Sequence, residues 1–274
     1  MQFEFPWALG PADGRYVVRE VAGAPASHVL VLATLGAPER WRLRDRRGRP
    51  AAPEPPATPV RTTRATVVDA EPTSSADAER WVTAAGTEAA TAALAVVARA
   101  VRAQRIAAAD PALRDPSLPQ ALVVRVGCGA GEQVADGRWS TARELPPPRA
   151  DRRGRSASLR PQERMAALLG GQEQALACEE LVLWARADLD AGQLRAAALQ
   201  LHAALTSAIV ELAAEQPSTD VSTRVAELRE QAPALAALAA QAPDGALAPA
   251  GRELIERTLQ RLEAALRARI ARRD

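Results

Sequence analysis

The first half of the chain alternates apolar and polar residues in short runs that are typical of β-strands. β-Branched residues are frequent in these runs, and Gly or Pro bounds most of them. The pattern predicts about five strands, at 15–21, 28–35, 61–69, 121–126 and 138–143. The first two and the last two strands are each close enough in sequence to form a hairpin.

Between these strands the pattern changes twice. Residues 76–108 follow Pro72 and a Ser74-Ser75 pair and carry larger apolar groups among many alanines, which predicts one long helix lying on the sheet. Residues 40–59 hold six arginines in the first ten positions and five prolines in the last ten, which predicts a loop. The expected domain is therefore β-rich and covers 1–148.

From residue 161 onward the apolar positions follow the helical period. A helix is expected from Pro161 to the Gly170-Gly171 pair, and further helices at 172–190, 193–215, 220–241 and 250–272. Pro233 should kink or shorten the fourth of these. An Arg- and Ser-rich linker at 149–158 separates this helical bundle, 159–274, from the first domain, so the predicted fold class is α+β with an all-α second domain.

The last predicted helix carries a continuous apolar face. Its residues are spaced 4, 3, 4 and 4 apart, and they are Ile255, Leu259, Leu262, Leu266 and Ile270. Such a face must be covered, either within this chain or by a partner. These five residues are therefore the candidate partner-binding surface.

Composition excludes most familiar catalytic chemistry. The chain contains no lysine, only two histidines, and two cysteines that are 50 residues apart. A phosphate-binding loop and a Schiff-base enzyme need lysine, and a structural zinc site needs clustered Cys or His ligands. We therefore expect no metal and no cofactor, and composition favours a non-catalytic role over an enzymatic one without deciding between them. Both cysteines should be reduced, small apolar residues of the core.

The remaining composition concerns source and location. All 35 basic residues are arginine and alanine is abundant, which indicates a high-GC bacterial genome. The N-terminal residues lack a basic region followed by an uninterrupted apolar run, and no stretch is apolar enough to predict a membrane span. The expected location is the cytoplasm, without membrane contact.

Residues 181–209 read as two helices meeting at a short turn around Gly192. Small residues occur at Ala185, Ala197 and Ala204, and such residues let paired helices approach closely; Leu201 and Leu205 also match the pattern. This stretch resembles a single tetratricopeptide-type hairpin, and the resemblance implies binding of a peptide or protein partner. An ordinary antiparallel pair in a helical bundle is the alternative.

Arg195 and His202 lie seven residues apart on the second of these helices, so both project from one face. Histidine can act as a general acid or base, and arginine can stabilise phosphate charge. The spacing resembles that of HEPN-type ribonucleases, which implies RNA cleavage; a half-buried structural histidine is the alternative. A glycine-rich segment at 127–131 could suggest a phosphate loop, but no Lys-Ser/Thr pair follows it, and a hairpin or bulge is the preferred interpretation.

Clusters of arginine at 40–49, 149–155 and 267–273 could contact phosphates. The candidate nucleic-acid-binding residues are Arg42, Arg44, Arg46, Arg47, Arg152 and Arg153. Three functional hypotheses follow. The preferred one is a non-catalytic interaction or scaffold protein that binds a protein partner or a second copy through its helical domain; the alternatives are nucleic-acid association and HEPN-like RNA cleavage.

Overall fold

The computed structural model describes residues 1–36, 61–146, 161–215 and 218–271. The chain divides into two compact units, Met1–Ala150 and Asp151–Asp274. The first contains an antiparallel sheet with helices, and the described part of the second contains only helices, so the predicted α+β class is confirmed. The predicted loop at 40–59 and the predicted linker at 149–158 lie outside the described residues.

The N-terminal unit is built on a six-stranded antiparallel sheet with the strand order β2-β3-β4-β1-β5-β6. The strands are β1 Gln2–Phe5, β2 Gly14–Val18, β3 His28–Leu35, β4 Thr62–Asp69, β5 Val123–Cys128 and β6 Thr141–Glu144. Both predicted hairpins are confirmed, as β2–β3 and β5–β6. The sequence prediction missed β1, which lies inside the sheet between β4 and β5.

Two helices, α1 Ser75–Ala84 and α2 Thr87–Ala108, stand where one long helix was predicted. They are bent by 104° relative to each other, so the prediction of a single helix over 76–108 was wrong. Gly86 adopts an extended conformation between them. The guanidinium of Arg143, on β6, donates to the carbonyl oxygens of Val82 (2.8 Å), Thr83 (3.1 Å) and Ala85. This distant side chain satisfies carbonyls that the end of α1 leaves without helical partners.

The core of the N-terminal unit combines residues of the sheet with residues of α2. Phe3 and Phe5 on β1 are fully buried, together with Val97 and Val101 on α2. Glu4, between Phe3 and Phe5 on β1, and its pairing partner Arg64 on β4 point to the other face of the sheet, because side chains alternate along a strand. There Glu4 accepts two hydrogen bonds from Arg64, at 2.9 and 3.1 Å.

The helical unit contains five helices in its described part: α3 Pro161–Leu169, α4 Ala177–Asp190, α5 Leu194–Ala214, α6 Thr219–Gln241 and α7 Pro249–Ala271. The predicted start at residue 172 was wrong, because Gln172 and Glu173 instead donate to the carbonyl oxygen of Ala167 and close a turn. Pro233 lies inside α6, which continues to Gln241, so Pro233 does not shorten the helix.

Helix α5 is the central helix of this unit. Seven of its residues are buried in the core between α4, α6 and α7: Ala197, Ala198, Leu201, Ala204, Leu205, Ala208 and Leu212. Among the described residues, α5 is the one helix that is by itself long and apolar enough to cross a membrane. Helices α1 and α2 reach that length and apolar content only when they are taken together as a bent pair. A core helix of a soluble protein has the same composition, and the burial of α5 among its neighbours agrees with that role.

Candidate functional site

Arg195 is engaged in holding the end of α6. Its guanidinium donates to the carbonyl oxygen of Ala242 and, at 3.2 Å, to that of Pro243. Both carbonyls belong to the short 3-10 turn that follows α6. The side chain proposed to stabilise phosphate charge is therefore bound to backbone acceptors, a structural role that the helical spacing alone could not reveal.

His202 is half-buried and is not one of the residues of α5 that are buried in the core. Its Nδ1 atom is buried and has no hydrogen-bond partner within the described part of the chain. No described carboxylate forms an ion pair with this histidine, and no group of three His, Cys, Asp or Glu side chains suitable for a metal occurs among the described residues. Arg195 and His202 thus share a helix, but the guanidinium of Arg195 is bound to backbone carbonyls after α6.

The glycine-rich segment at 127–131 belongs to the β5–β6 hairpin. Gly127 is part of β5, and a five-residue 3-10 turn, Glu132–Asp136, follows where a phosphate loop would require the start of an α-helix. The indole of Trp139 lies directly against Gly127 and donates from Nε1 to the carbonyl oxygen of Val134 at 3.0 Å. Gly127 is needed for packing: a Cβ there would clash with the indole and lie 2.9 Å from the carbonyl oxygen of Thr141.

Substituting alanine for Gly127 should therefore destabilise the N-terminal unit. We expect Gly127→Ala to reduce its free energy of unfolding by about 1–3 kcal/mol, because the indole of Trp139 must move to admit the methyl group. Thermal unfolding of this variant would be compared with that of Gly14→Ala, where the nearest side-chain atoms, those of Tyr16, are 3.8 Å from the added Cβ. Equal effects of the two substitutions would contradict the packing role.

The arginine clusters are only partly described. Arg42, Arg44, Arg46, Arg47, Arg152 and Arg153 lie outside the described residues. In the third cluster, Arg267 is 3.9 Å from Glu263, and Arg269 is 4% exposed. Arg269 is therefore directed into the helical unit and does not offer its charge to a phosphate at the surface.

The apolar face of α7 is covered within this chain. Ile255, Leu259 and Leu262 are fully buried, and Leu266 is 7% exposed, all in one core with α4, α5 and α6. Ile270 is half-buried. Of the two alternatives left open by the sequence, burial within the chain is the one observed, so this face presents no continuous surface to a partner.

Sequence reasoning missed a group of charged side chains at the start of α4. This α4 charge cluster gathers residues from α3, the following turn, α4, α5 and α7: Arg164, Glu173, Glu179, Glu211, Glu215 and Arg269. Arg269 donates from Nε and Nη2 to the two carboxylate oxygens of Glu215, at 2.6 and 2.7 Å. This hydrogen bonding raises the pKa of the Arg269 guanidinium above its ordinary value.

Carboxylates in the cluster also cap α4. Glu211 of α5 accepts hydrogen bonds from the backbone amides of Ala177 and Cys178, at 3.0 and 3.1 Å. Glu179 accepts one from the amide of Leu176 at 3.0 Å. The first amides of a helix lack helical partners and carry partial positive charge, so carboxylates stabilise this end of α4.

Cys178 lies beside these carboxylates and is fully buried, as predicted. Burial and a hydrogen bond to Glu211 raise the pKa of its thiol far above the ordinary range. The thiolate is the nucleophilic form of cysteine, so the burial of Cys178 and the raised pKa of its thiol both disfavour a nucleophilic role. The α4 charge cluster is consequently an ion-pair and capping network without a reactive group in its described part.

Comparisons of this chain with protein-family models, curated proteins and solved structures found no match.

The outward side of α5 is the remaining surface of interest. Leu199, Ala203, Thr206 and Val210 are spaced 4, 3 and 4 apart and all are exposed. We call these four residues the α5 outer face. The hydroxyl of Thr206 donates to the carbonyl oxygen of His202 at 2.9 Å, which leaves its methyl group as the outward apolar part.

This face carries no charge. The only charged residues of α5 are Arg195 and Glu211, and both are bound to backbone groups within the helical unit. Leu199 and Val210 are 47% and 66% exposed. An uncharged apolar line on an otherwise well-packed helix is the kind of surface that interfaces use.

The α4–α5 pair itself has a defined register. The amide of Gln200 donates to Asp188 at 2.8 Å, and Glu211 binds the amides at the start of α4, so the helices run antiparallel. Gly192 supplies the left-handed conformation of the turn, with φ of 72°. Ala185, Ala197 and Ala204, the small residues of the tetratricopeptide-like stretch, are fully buried. The resemblance to that family remains a prediction.

Proposed function

We propose that this chain is a non-catalytic interaction protein that self-associates through its helical domain. The observation that carries this proposal is the α5 outer face, an exposed line of residues from which charged side chains are missing. The occupant we propose is the same helix of a second copy.

The order of residues on the face supports pairing with a copy of itself. In an antiparallel pair related by two-fold symmetry, Leu199 of one chain lies against Val210 of the other, and Ala203 lies against Thr206. Large residues then contact large residues at the two ends, and small residues at the centre let the helix axes approach. Such self-complementarity is what a two-fold interface requires.

The proposal predicts that the protein forms a dimer and that a single charge on this face disrupts it. Val210→Glu should weaken dimerisation by about a hundredfold, because each of the two copies would bury an unpaired carboxylate, at about 1–3 kcal/mol each. Size-exclusion chromatography with light scattering, over a range of concentrations, measures the change.

The control is Leu183→Glu on α4. Leu183 is 70% exposed, similar to Val210 at 66%, but it is not on the α5 outer face, so this variant should remain dimeric. A native chain that is monomeric at the highest concentration would overturn the proposal, and so would equal weakening by the two substitutions. Circular dichroism would establish that both variants are folded.

A further inference from the structure

Helix α3 is attached to the helical unit in a different way from the other helices. None of its side chains is buried, and no α3 residue belongs to the hydrophobic core formed by α4 to α7. Met165 and Leu169, two of its large apolar residues, are 56% and 81% exposed. Burial of apolar surface therefore contributes little to holding α3 in place.

Charge holds α3 in place instead. Arg164 donates from Nη2 to Glu179 at 2.6 Å and from Nε to Glu173 at 3.1 Å. The side chain of Arg164 is 22% exposed, and those of Glu173 and Glu179 are 10% and 14% exposed. Charge-assisted hydrogen bonds in a partly buried position are stronger than ion pairs on an open surface.

The segment after α3 has the features of a hinge. Gly170 and Gly171 follow the helix directly, and Gly171 has a φ of 68°, which favours glycine. The amide of Glu173 donates to the carbonyl oxygen of Ala167 at 3.1 Å. This turn carries Glu173 back toward Arg164, and a rotation at the two glycines would separate α3 from α4.

Removal of α3 would leave the acidic residues of the cluster partnered. Arg269 on α7 also faces both carboxylates, at 3.4 Å from Glu173 and 3.5 Å from Glu179. Arg269 is fixed independently by its two hydrogen bonds to Glu215. The core of α4 to α7 can therefore remain folded when Arg164 leaves.

We propose that α3 is an electrostatically held strap, which docks at the start of α4 through Arg164 and detaches while α4 to α7 stay folded. A nine-residue helix is too short to be stable in water by itself. Detachment and loss of helical structure in α3 are therefore coupled, and backbone hydrogen exchange reports both. The device is independent of self-association, because no α3 residue is on the α5 outer face.

The test is hydrogen exchange measured by mass spectrometry on the whole chain, native and Arg164→Gln. In the variant, the amides of α3 should exchange about tenfold faster, the factor that corresponds to about 1.4 kcal/mol. The amides of α5 and α7 should keep their native rates. Salt at about 1 M, where the Debye length is about 3 Å, should speed exchange of α3 in the native chain and have less effect on the variant.

Arg224→Gln provides the matched control. It removes the same charge from the same unit, but among the described residues the ion-pair partner of Arg224 is Asp220 of α6, at 3.1 Å, so exchange of α3 should not change. Unchanged exchange of α3 in Arg164→Gln would overturn the proposal. Faster exchange throughout α4 to α7 would also overturn it, because α3 would then be an integral part of the fold.

Discussion

Replacement of Arg269 by methionine is expected to destabilise the helical unit by about 3 kcal/mol. Methionine retains much of the apolar length of arginine but cannot neutralise the carboxylate of Glu215, which loses two hydrogen bonds of 2.6 and 2.7 Å. Removal of one partner of a buried ion pair costs about 3–5 kcal/mol. We place the effect at the lower end, because the Glu215 side chain is 31% exposed and Arg164 still faces Glu173 and Glu179.

Urea unfolding followed by the helical circular dichroism signal would measure this change. The control is Arg267→Met on the same helix, where the side chain is 44% exposed and 3.9 Å from Glu263; its effect should be within about 0.5 kcal/mol. A double variant with Glu215→Gln should be less destabilised than the sum of the single variants, since the hydrogen bonds between these two side chains are lost only once. Additive effects would mean that the two residues do not stabilise each other.

Arg269 also illustrates what the sequence could have revealed about the charged cluster. It follows Leu262 and Leu266 at helical spacing, so it occupies a position of the apolar face of α7. An arginine at a core position predicts a buried acidic partner. The sequence does not indicate which glutamate is that partner, because Glu173, Glu179 and Glu215 become neighbours only when the helices pack.

Local patterns predicted most of the elements because those patterns depend on nearby residues. Five of the six strands and both hairpins follow from alternation and turn residues. Strand β1 was missed because it has only four residues, with Glu4 inside and Pro6 directly after it. Its place between β4 and β5 depends on pairing with residues about 60 and 120 positions away.

The break between α1 and α2 has a similar origin. Alanine-rich sequence on both sides of Gly86 favours a continuous helix, and a single glycine costs only about 1 kcal/mol there. Arg143 stabilises the alternative by binding three carbonyls at the end of α1. An interaction between residues nearly 60 positions apart thus overrides the local preference, and no local pattern predicts it.

Truncation of Leu259 to alanine is the second large effect that we expect. Leu259 is fully buried in the core formed by α4 to α7, so Leu259→Ala should reduce the free energy of unfolding of the helical unit by about 3–5 kcal/mol. The loss combines the transfer free energy of the removed methyl groups with the cost of the cavity they leave. Urea unfolding of this variant provides the measurement.

The matched variant is Leu199→Ala on the α5 outer face. Leu199 is 47% exposed, so its truncation should cost the isolated monomer less than about 1 kcal/mol, while it weakens dimerisation. Both variants are therefore measured at a dilution where the chain is monomeric. If Leu259→Ala left stability unchanged but weakened association, the apolar face of α7 would be a partner surface after all. If Leu259→Ala lowers stability and Leu199→Ala weakens association, Leu259 belongs to the interior of the unit and Leu199 to its interface.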